Sequence, residues 1–428
     1  MTRWRIAPDR RSLLADGEPR FLLADTTWAA FTSPTDDEWL DYLALRRRQG
    51  FNALLISVLP IVHDRSDAGR SPFGVVEGGV DFAGGDPDYW EHAQWMLVQA
   101  REHGMTPILV LLWNNYVPGT WGARLTPGYV LTEQQTLDHV HRVVESFDRF
   151  DPVFAISGDD DLDSEVAITR YALAASTVRR LAPDALITWH STPTARMPAA
   201  VADGPHIDVH GLQSGHNDGW QTLPAELTRY HRALRVERPI MNLEPCYEGL
   251  GRFAGRERHR SADVRRASWS GVVAGASAGL GYGAHGVWSW HRRGARFTAE
   301  AVHGEPYPFS VAVQFDGALD AAFVRTVVER EHLFGIIEDA NLLETRRSGA
   351  IAGRTPDGTI AVYAPEPFPL LMDVPADSIE VTAYDLGRRR RDAVGFGWEL
   401  LDARRLLRID QPDFLGDALY VIRSRGRR

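Results

Sequence analysis

A chain of 428 residues exceeds what one hydrophobic core ordinarily supports, so two domains are expected, one of them of barrel size. Apolar residues at 44% and charged residues at 24% are those of a soluble globular protein, and a net charge of −10 argues against nucleic acid or an anionic membrane as partner. Cys246 is the sole cysteine, which excludes an intrachain disulfide; no apolar run approaches a membrane span and no signal-peptide core follows the charged start, so a cytoplasmic location is expected.

Residues 4–6 and 13–14 read as a short hairpin with its turn at Asp16-Gly17. Residues 21–24 form a first buried strand that ends in Asp25-Thr26-Thr27-Trp28. Thr35 with Glu38 three positions on is a capping box, and the helix it opens runs through Arg48 and stops at Gly50. The period then repeats. Strands over 51–58, 107–113, 153–157, 185–189, 207–210, 239–243 and 283–290 alternate with helices over 89–103, 132–147, 165–181, 224–234, 262–276 and 318–333.

Eight near-continuous apolar strands are what a parallel sheet covered by helices requires. Together they predict an α/β fold, a (β/α)₈ TIM barrel over residues 1–345. A doubly wound open sheet is the alternative, weakened by the lack of a G-x-G-x-x-G after the first strand and of a P-loop. From about Ser348 the texture changes to short alternating segments, 360–363, 378–384, 407–409 and 419–422, spaced by Pro, Gly and Asp. These predict a small all-β sandwich over 346–428. Its basic run, Arg388 to Arg391 between Asp385 and Asp392, reads as a solvated turn rather than a binding patch.

Polar residues follow the strands. Asp25, Asn114, Asn115, Asp159, His190, His210, Gln213, His216 and Glu244 fall at or just past predicted strand ends, and His285 inside the last strand. In a barrel those ends converge on one face, where catalytic groups sit. Glu244 closes the apolar run 239–243, and Pro245 stops the strand; the plain alternative is an ordinary strand-end carboxylate. Asp159 directly follows Ser157-Gly158, whereas Asp160, Asp161 and Asp163 precede a helix, where negative charge is stabilising on its own account.

Two carboxyl sources on one face suit glycoside hydrolysis, in which one group protonates the leaving oxygen and the other attacks or activates water. Trp28, Trp113, Trp121, Trp220, Trp288 and Trp290 lie near these strand ends and could stack on sugar rings, although core packing is the commoner role of a tryptophan. His190, His210, His216 and His285 raise a rival, a metal-dependent barrel hydrolase, but come from separate segments without H-E-x-x-H spacing. A catalytically silent carbohydrate-binding barrel is a third reading. Cys246 reads as an inert buried thiol.

Several segments together resemble the apiosidase-like glycoside hydrolases. They are F-L-L-A-D-T-T-W-A-A-F at 21–31, Tyr42-Leu43 with Arg46 and Gln49-Gly50-Phe51-Asn52, Ser157-Gly158-Asp159, Gln213-Ser214-Gly215-His216, Glu244-Pro245-Cys246-Tyr247-Glu248, and G-Y-G-A-H-G-V-W at 281–288. The resemblance implies a barrel followed by a β-domain of the collagen-binding type, a name that carries no implication of collagen binding. It also implies an acid/base aspartate falling on Asp159 and a nucleophilic glutamate falling on Glu244. Ser157 and Phe154 depart from the family's Gly and Trp, which keeps Asp160 as the alternative acid. The expectation is therefore a retaining hydrolase of a plant or bacterial pentoside or hexoside, with no cofactor and no metal. A small carbohydrate would be bound by Asp25, Trp28, Asn114, His190, Gln213, His216, Tyr247, His285 and Trp288.

Overall fold

Eight parallel strands alternate with helices along the chain: β1 (Leu22–Thr26), β2 (Ala53–Ser57), β3 (Thr106–Trp113), β4 (Val153–Gly158), β5 (Leu186–Thr188), β6 (His210–Gln213), β7 (Ile240–Glu244) and β8 (Gly279–Tyr282). The computed structural model describes residues 3–66, 69–77, 79–193, 195–252, 257–345, 349–375 and 378–424. Strand order is β5-β4-β3-β2-β1-β8-β7-β6, all parallel, so the sheet curls almost into a closed ring. Across the remaining seam, Asp208 N–H and Val209 N–H donate to Ile187 O (2.9 and 3.2 Å) and Thr188 Oγ1 donates to Val209 O (3.0 Å). Every residue of the eight strands is buried, as expected of strands with helices outside and packed side chains inside.

The helices start and stop where the sequence signals them. Thr35 and Glu38 form a reciprocal capping box on the helix Asp36–Gln49, and Gly50 closes it in the left-handed conformation at φ 98°. The N-terminal strands Trp4–Ile6, Leu13–Ala15 and Glu18–Arg20 sit at the opposite end of the barrel from the strand C-termini, with Trp4 Nε1 donating to Thr106 Oγ1 at the start of β3 (2.8 Å).

Two strands lie elsewhere than the apolar runs suggest. β8 is Gly279–Tyr282, not 283–290, and His285 therefore follows the strand instead of lying within it. The reason is steric. A Cβ on Gly281 would lie 1.9 Å from Leu243 O, and one on Gly279 2.5 Å from Leu22 O, so this strand can wedge between β7 and β1 only with glycine at 279 and 281. Such a strand has a weak apolar signature, while Val287, Trp288 and Trp290 mimic one. β6 begins at His210, where 207–210 was expected to end, and this places His210 at the barrel's far end against His231 (ring centroids 5.5 Å).

After the last barrel helix, Gly317–Arg330, the chain forms two antiparallel sheets. The expected boundary at 346 and Ser348 lies outside the described residues. The larger sheet uses the two-residue alternation of its strands to face two cores. Ile360, Val362, Ala383, Tyr420 and Ile422 pack with Leu407, Ile409 and Met372 of the smaller sheet, whereas Ala361, Tyr363, Tyr384, Leu419 and Val421 join the core of the barrel. Ion pairs reinforce the joint: Arg265 on the helix Ser261–Ala274 contacts Asp417 (2.8 Å) and Asp320 (2.9 Å), and Arg389 also reaches Asp320 (2.8 Å). The basic turn is thus partly a docking element, with Arg389 paired to the barrel and not merely solvated.

Candidate active site

Glu244 ends β7 at the centre of a hydrogen-bond cage. Its Oε2 accepts from His190 Nε2 (2.9 Å), and its Oε1 accepts from His216 Nε2 (2.9 Å) and Gln213 Nε2 (3.0 Å). Gln213 is delivered by an irregularity in register between Leu212 and Gln213, which sets it directly opposite Glu244. The two imidazoles have defined tautomers. His190 Nδ1 accepts from Asp159 N–H (3.1 Å) and His216 Nδ1 accepts from Tyr247 N–H (3.1 Å), so each ring carries its proton on Nε2, pointed at the carboxylate. Burial alone would push Glu244 upward, but the hydrogen bonds from His190 and His216 outweigh it and hold the carboxyl down at about 2.

Asp159 lies just past β4 in the opposite environment. Its backbone adopts the left-handed conformation at φ 50°, which an aspartate tolerates better than most residues. The peptide is pinned on both sides: N–H to His190, and C=O accepting from Asn114 Nδ2 (2.5 Å) and Trp121 Nε1 (3.0 Å). Among the described residues nothing hydrogen-bonds its carboxyl. Burial first, and then the charge of Glu244, push this group up to about 7, even though the residue keeps some access to the cavity. Gly158 makes the arrangement possible, since a Cβ there would meet the Trp113 ring at 2.3 Å.

Burial pushes the neighbouring Asp160 up to about 6. It is buried outside the cavity and receives the backbone N–H groups of Leu162 and Asp161. Glu248 is structural: it accepts from Tyr282 OH (2.9 Å) and Gly317 N–H (2.8 Å), tying the loop that carries Tyr247 to the last barrel helix. Ser157, the departure from the family pattern, donates to His190 O (2.8 Å) and accepts His190 N–H (3.3 Å), bracketing the peptide of that histidine.

Asp159 and Glu244 border one cavity of about 350 Å³, at the small end of ligand sites. Trp28, Trp113, Trp121, Tyr247 and Trp288 supply its aromatic wall, and Gln213 and His216 its remaining expected polar groups. Trp28 is fixed by its indole N–H to Tyr247 OH (3.0 Å) and meets Trp113 edge-on at 5.1 Å. A larger groove of about 910 Å³ lies at the other end of the barrel by Trp4, Asn52 and Thr106 and carries neither carboxylate; in this architecture that face contributes stability.

Four expected sugar contacts lie outside the cavity. Asp25 is fully buried on the outer side of β1, where alternation turns it toward the helix Asp36–Gln49; it pairs with Arg46 (2.6 Å) and Tyr42 OH (2.5 Å). Asn114 holds the Asp159 peptide, and His190 holds both Asp159 and Glu244 from beneath. His285 donates to Gly304 O (3.0 Å) and stacks behind Trp288 at 5.9 Å. Conversely, His63, Asp64 and His303 line the cavity without having been singled out. The H-D pair in the long loop after β2 was the available signal. As for a metal, both nitrogens of His190 and of His216 are committed to hydrogen bonds, and no cluster of three ligating side chains is arranged for an ion among the described residues.

A family model described as "Apiosidase-like, catalytic domain" matches residues 7–335. The chain belongs to that family. It is a glycoside hydrolase. Solved structures align over nearly its whole length: a glycoside hydrolase at 18% identity, covering 100% of this chain and 98% of that one with a TM-score of 0.80, and a glycoside hydrolase family 5 protein from Bacteroides vulgatus at 19%, covering 99% and 93% with a TM-score of 0.81. At such identities the likeness is one of fold, and it extends to the C-terminal sheets of this apiosidase-like hydrolase as well as to its barrel. No curated protein sequence matches the chain. No helix among the described residues is long and apolar enough to cross a membrane.

Proposed function

We propose that this hydrolase cleaves a small glycoside with retention of anomeric configuration, Glu244 acting as nucleophile and Asp159 as acid/base. The observation that carries the reading is the opposed setting of two carboxyls in one cavity: Glu244 held ionised by three donors, and the Asp159 carboxyl without a hydrogen-bond partner among the described residues and held protonated toward neutral pH. A carboxylate stabilised that far is a poor proton acceptor, which disfavours Glu244 as the base for a water in an inverting reaction. As a nucleophile it needs only a free lone pair, and its low basicity makes it a good leaving group in the second step.

In the first step Glu244 bonds to the anomeric carbon while Asp159 gives its proton to the departing glycosidic oxygen. In the second, Asp159, now ionised, takes a proton from water as that water's oxygen displaces Glu244 and frees the sugar. The aromatic wall suits the C–H faces of a pentose or hexose.

Hydrolysis of a panel of aryl pentosides and hexosides, furanosides included, with NMR of the first-formed anomer tests the reading. Glu244→Gln is expected to abolish turnover. Asp159→Asn should lower it about 10²–10⁴-fold and remove the basic limb of the pH profile near 7. Wild-type turnover in either variant, or an inverted first product, refutes the assignment.

A further inference from the structure

The mechanism leaves two carboxylates of the cavity unused, Asp161, which accepts from Thr192 Oγ1 (2.8 Å), and Asp64. Asp64, on the loop after β2, borders both the reaction cavity and an adjoining one of about 140 Å³, and Trp28, Ile61 and Trp288 share that position. An ionised carboxylate has about four acceptor sites. Among the described residues Asp64 meets a single partner, His303 Nε2, and only at 3.5 Å from Oδ2; Oδ1 is buried and has none. Its side chain is 20% exposed, so solvent reaches part of the group while the buried Oδ1 is satisfied neither by solvent nor, among the described residues, by the protein. Gln213 Oε1, on the same cavity, is a second buried acceptor without a donor among the described residues. A ligand that would complete both must bring hydrogen-bond donors, and hydroxyl groups do so.

The pair does not sit on a loose rim. Thr298 ties the two loops together: its N–H donates to Arg65 O (3.0 Å), its Oγ1 donates to His63 O (2.9 Å), and Arg65 N–H donates to that Oγ1 (2.8 Å). His285, which also backs Trp288, anchors Gly304 immediately after His303. We propose that Asp64, oriented by His303, is a sugar-positioning residue that accepts hydrogen bonds from hydroxyls of the sugar whose glycosidic bond lies between Glu244 and Asp159. The proposal rests on the retaining-hydrolase reading and adds to it a specificity element: the ring must present donors toward the β2 and β8 loops.

The charges support the placement. Burial pulls His303 down, but Asp64, joined by Asp159 and Glu244, outweighs it and raises the imidazole above its ordinary value. Asp64 in turn is one of the negative groups, with Glu244 and Asp161, that face Asp159 and raise it, while His190 opposes them. Removing the charge of Asp64 must therefore lower Asp159. Because Asp159 has to be protonated at the start of the cycle, the basic limb of kcat/KM must then move to lower pH.

The test compares wild type, Asp64→Asn and His303→Gln on the aryl glycoside that the wild type hydrolyses best. Asp64→Asn is expected to raise KM about ten- to hundredfold, with a smaller fall in kcat, and to move the basic limb downward. His303→Gln, which keeps a donor, should raise KM less. A folded Asp64→Asn protein with KM within twofold of wild type and an unmoved limb overturns the proposal, as does a fall in melting temperature alone. If the wild type hydrolyses no glycoside, the retaining-hydrolase reading fails first. Calorimetry with free pentoses and hexoses then decides the assignment, and equal affinities of wild type and Asp64→Asn overturn it.

Discussion

Replacing His190 by Phe keeps a ring against Trp28, whose centroid lies 5.3 Å away, and removes both nitrogens that join Asp159 to Glu244. Glu244 is held at about 2 against an ordinary 4.5, which at about 1.4 kcal/mol per pH unit is on the order of 3 kcal/mol of preference for the charged form. His190 and His216 carry that preference against burial. Losing one hydrogen bond to a charged group costs about 1.5–3 kcal/mol, or roughly one to two pH units. Glu244 must be ionised to attack, so the acid limb of kcat/KM should rise by that amount. The same carboxylate stabilises the fold above about 4.5 and loses this contribution as pH falls toward about 2; in the variant the contribution should be smaller and its loss complete at a higher pH. The freed Asp159 N–H adds about 1–3 kcal/mol of destabilisation at every pH. The assays are kcat/KM against pH on an aryl glycoside and thermal unfolding over the same range. A folded His190→Phe protein with an unmoved acid limb and an unchanged melting temperature would refute the cage.

Gly281→Ala sets a methyl group 1.9 Å from Leu243 O, a backbone atom of β7 that cannot retreat. It should cost at least about 1–3 kcal/mol in urea unfolding, and a loss below about 0.5 kcal/mol would contradict the tight passage of β8. Arg265→Ala leaves Asp417 and Asp320 buried with less countercharge, at an expected cost of about 3–5 kcal/mol. Limited proteolysis should then cut more readily between the barrel and the C-terminal sheets; unchanged melting and cleavage would show the ion network to be dispensable.

Much of the frame was legible because it depends on local chemistry. Buried strands advertise themselves as apolar runs, capping residues mark helix starts, and the alternation at 360–363 and 419–422 announces sheet strands. Where local chemistry misled, packing had taken over. β8 is glycine-rich because its neighbours leave no room, so the following Val-Trp-Ser-Trp looked more like a strand than the strand itself.

Strand ends nominated Asp159, Glu244, Gln213, His216, Trp28 and Trp288, and the family resemblance added Tyr247; the structure brings all seven to one cavity. Neither was enough to separate residues that face the cavity from residues that support it. Asp25 and Asn114 turn away, and His190 and His285 work from behind, since side-chain direction depends on alternation, strand tilt and what the neighbouring strand leaves open.

By itself the sequence determined the barrel class, the positions of most elements, and which carboxyls stand at strand ends, because each follows from periodicity and turn residues within a short window. Only the tertiary structure decided how those carboxyls behave. Glu244 meets His190, Gln213 and His216 from other strands, the Asp159 carboxyl meets no donor among the described residues, and Asp64 meets His303 from the other end of the barrel sequence. A carboxyl's affinity for its proton is set by burial and by donors and charges within a few ångströms, and those neighbours are assembled by the closing of the ring.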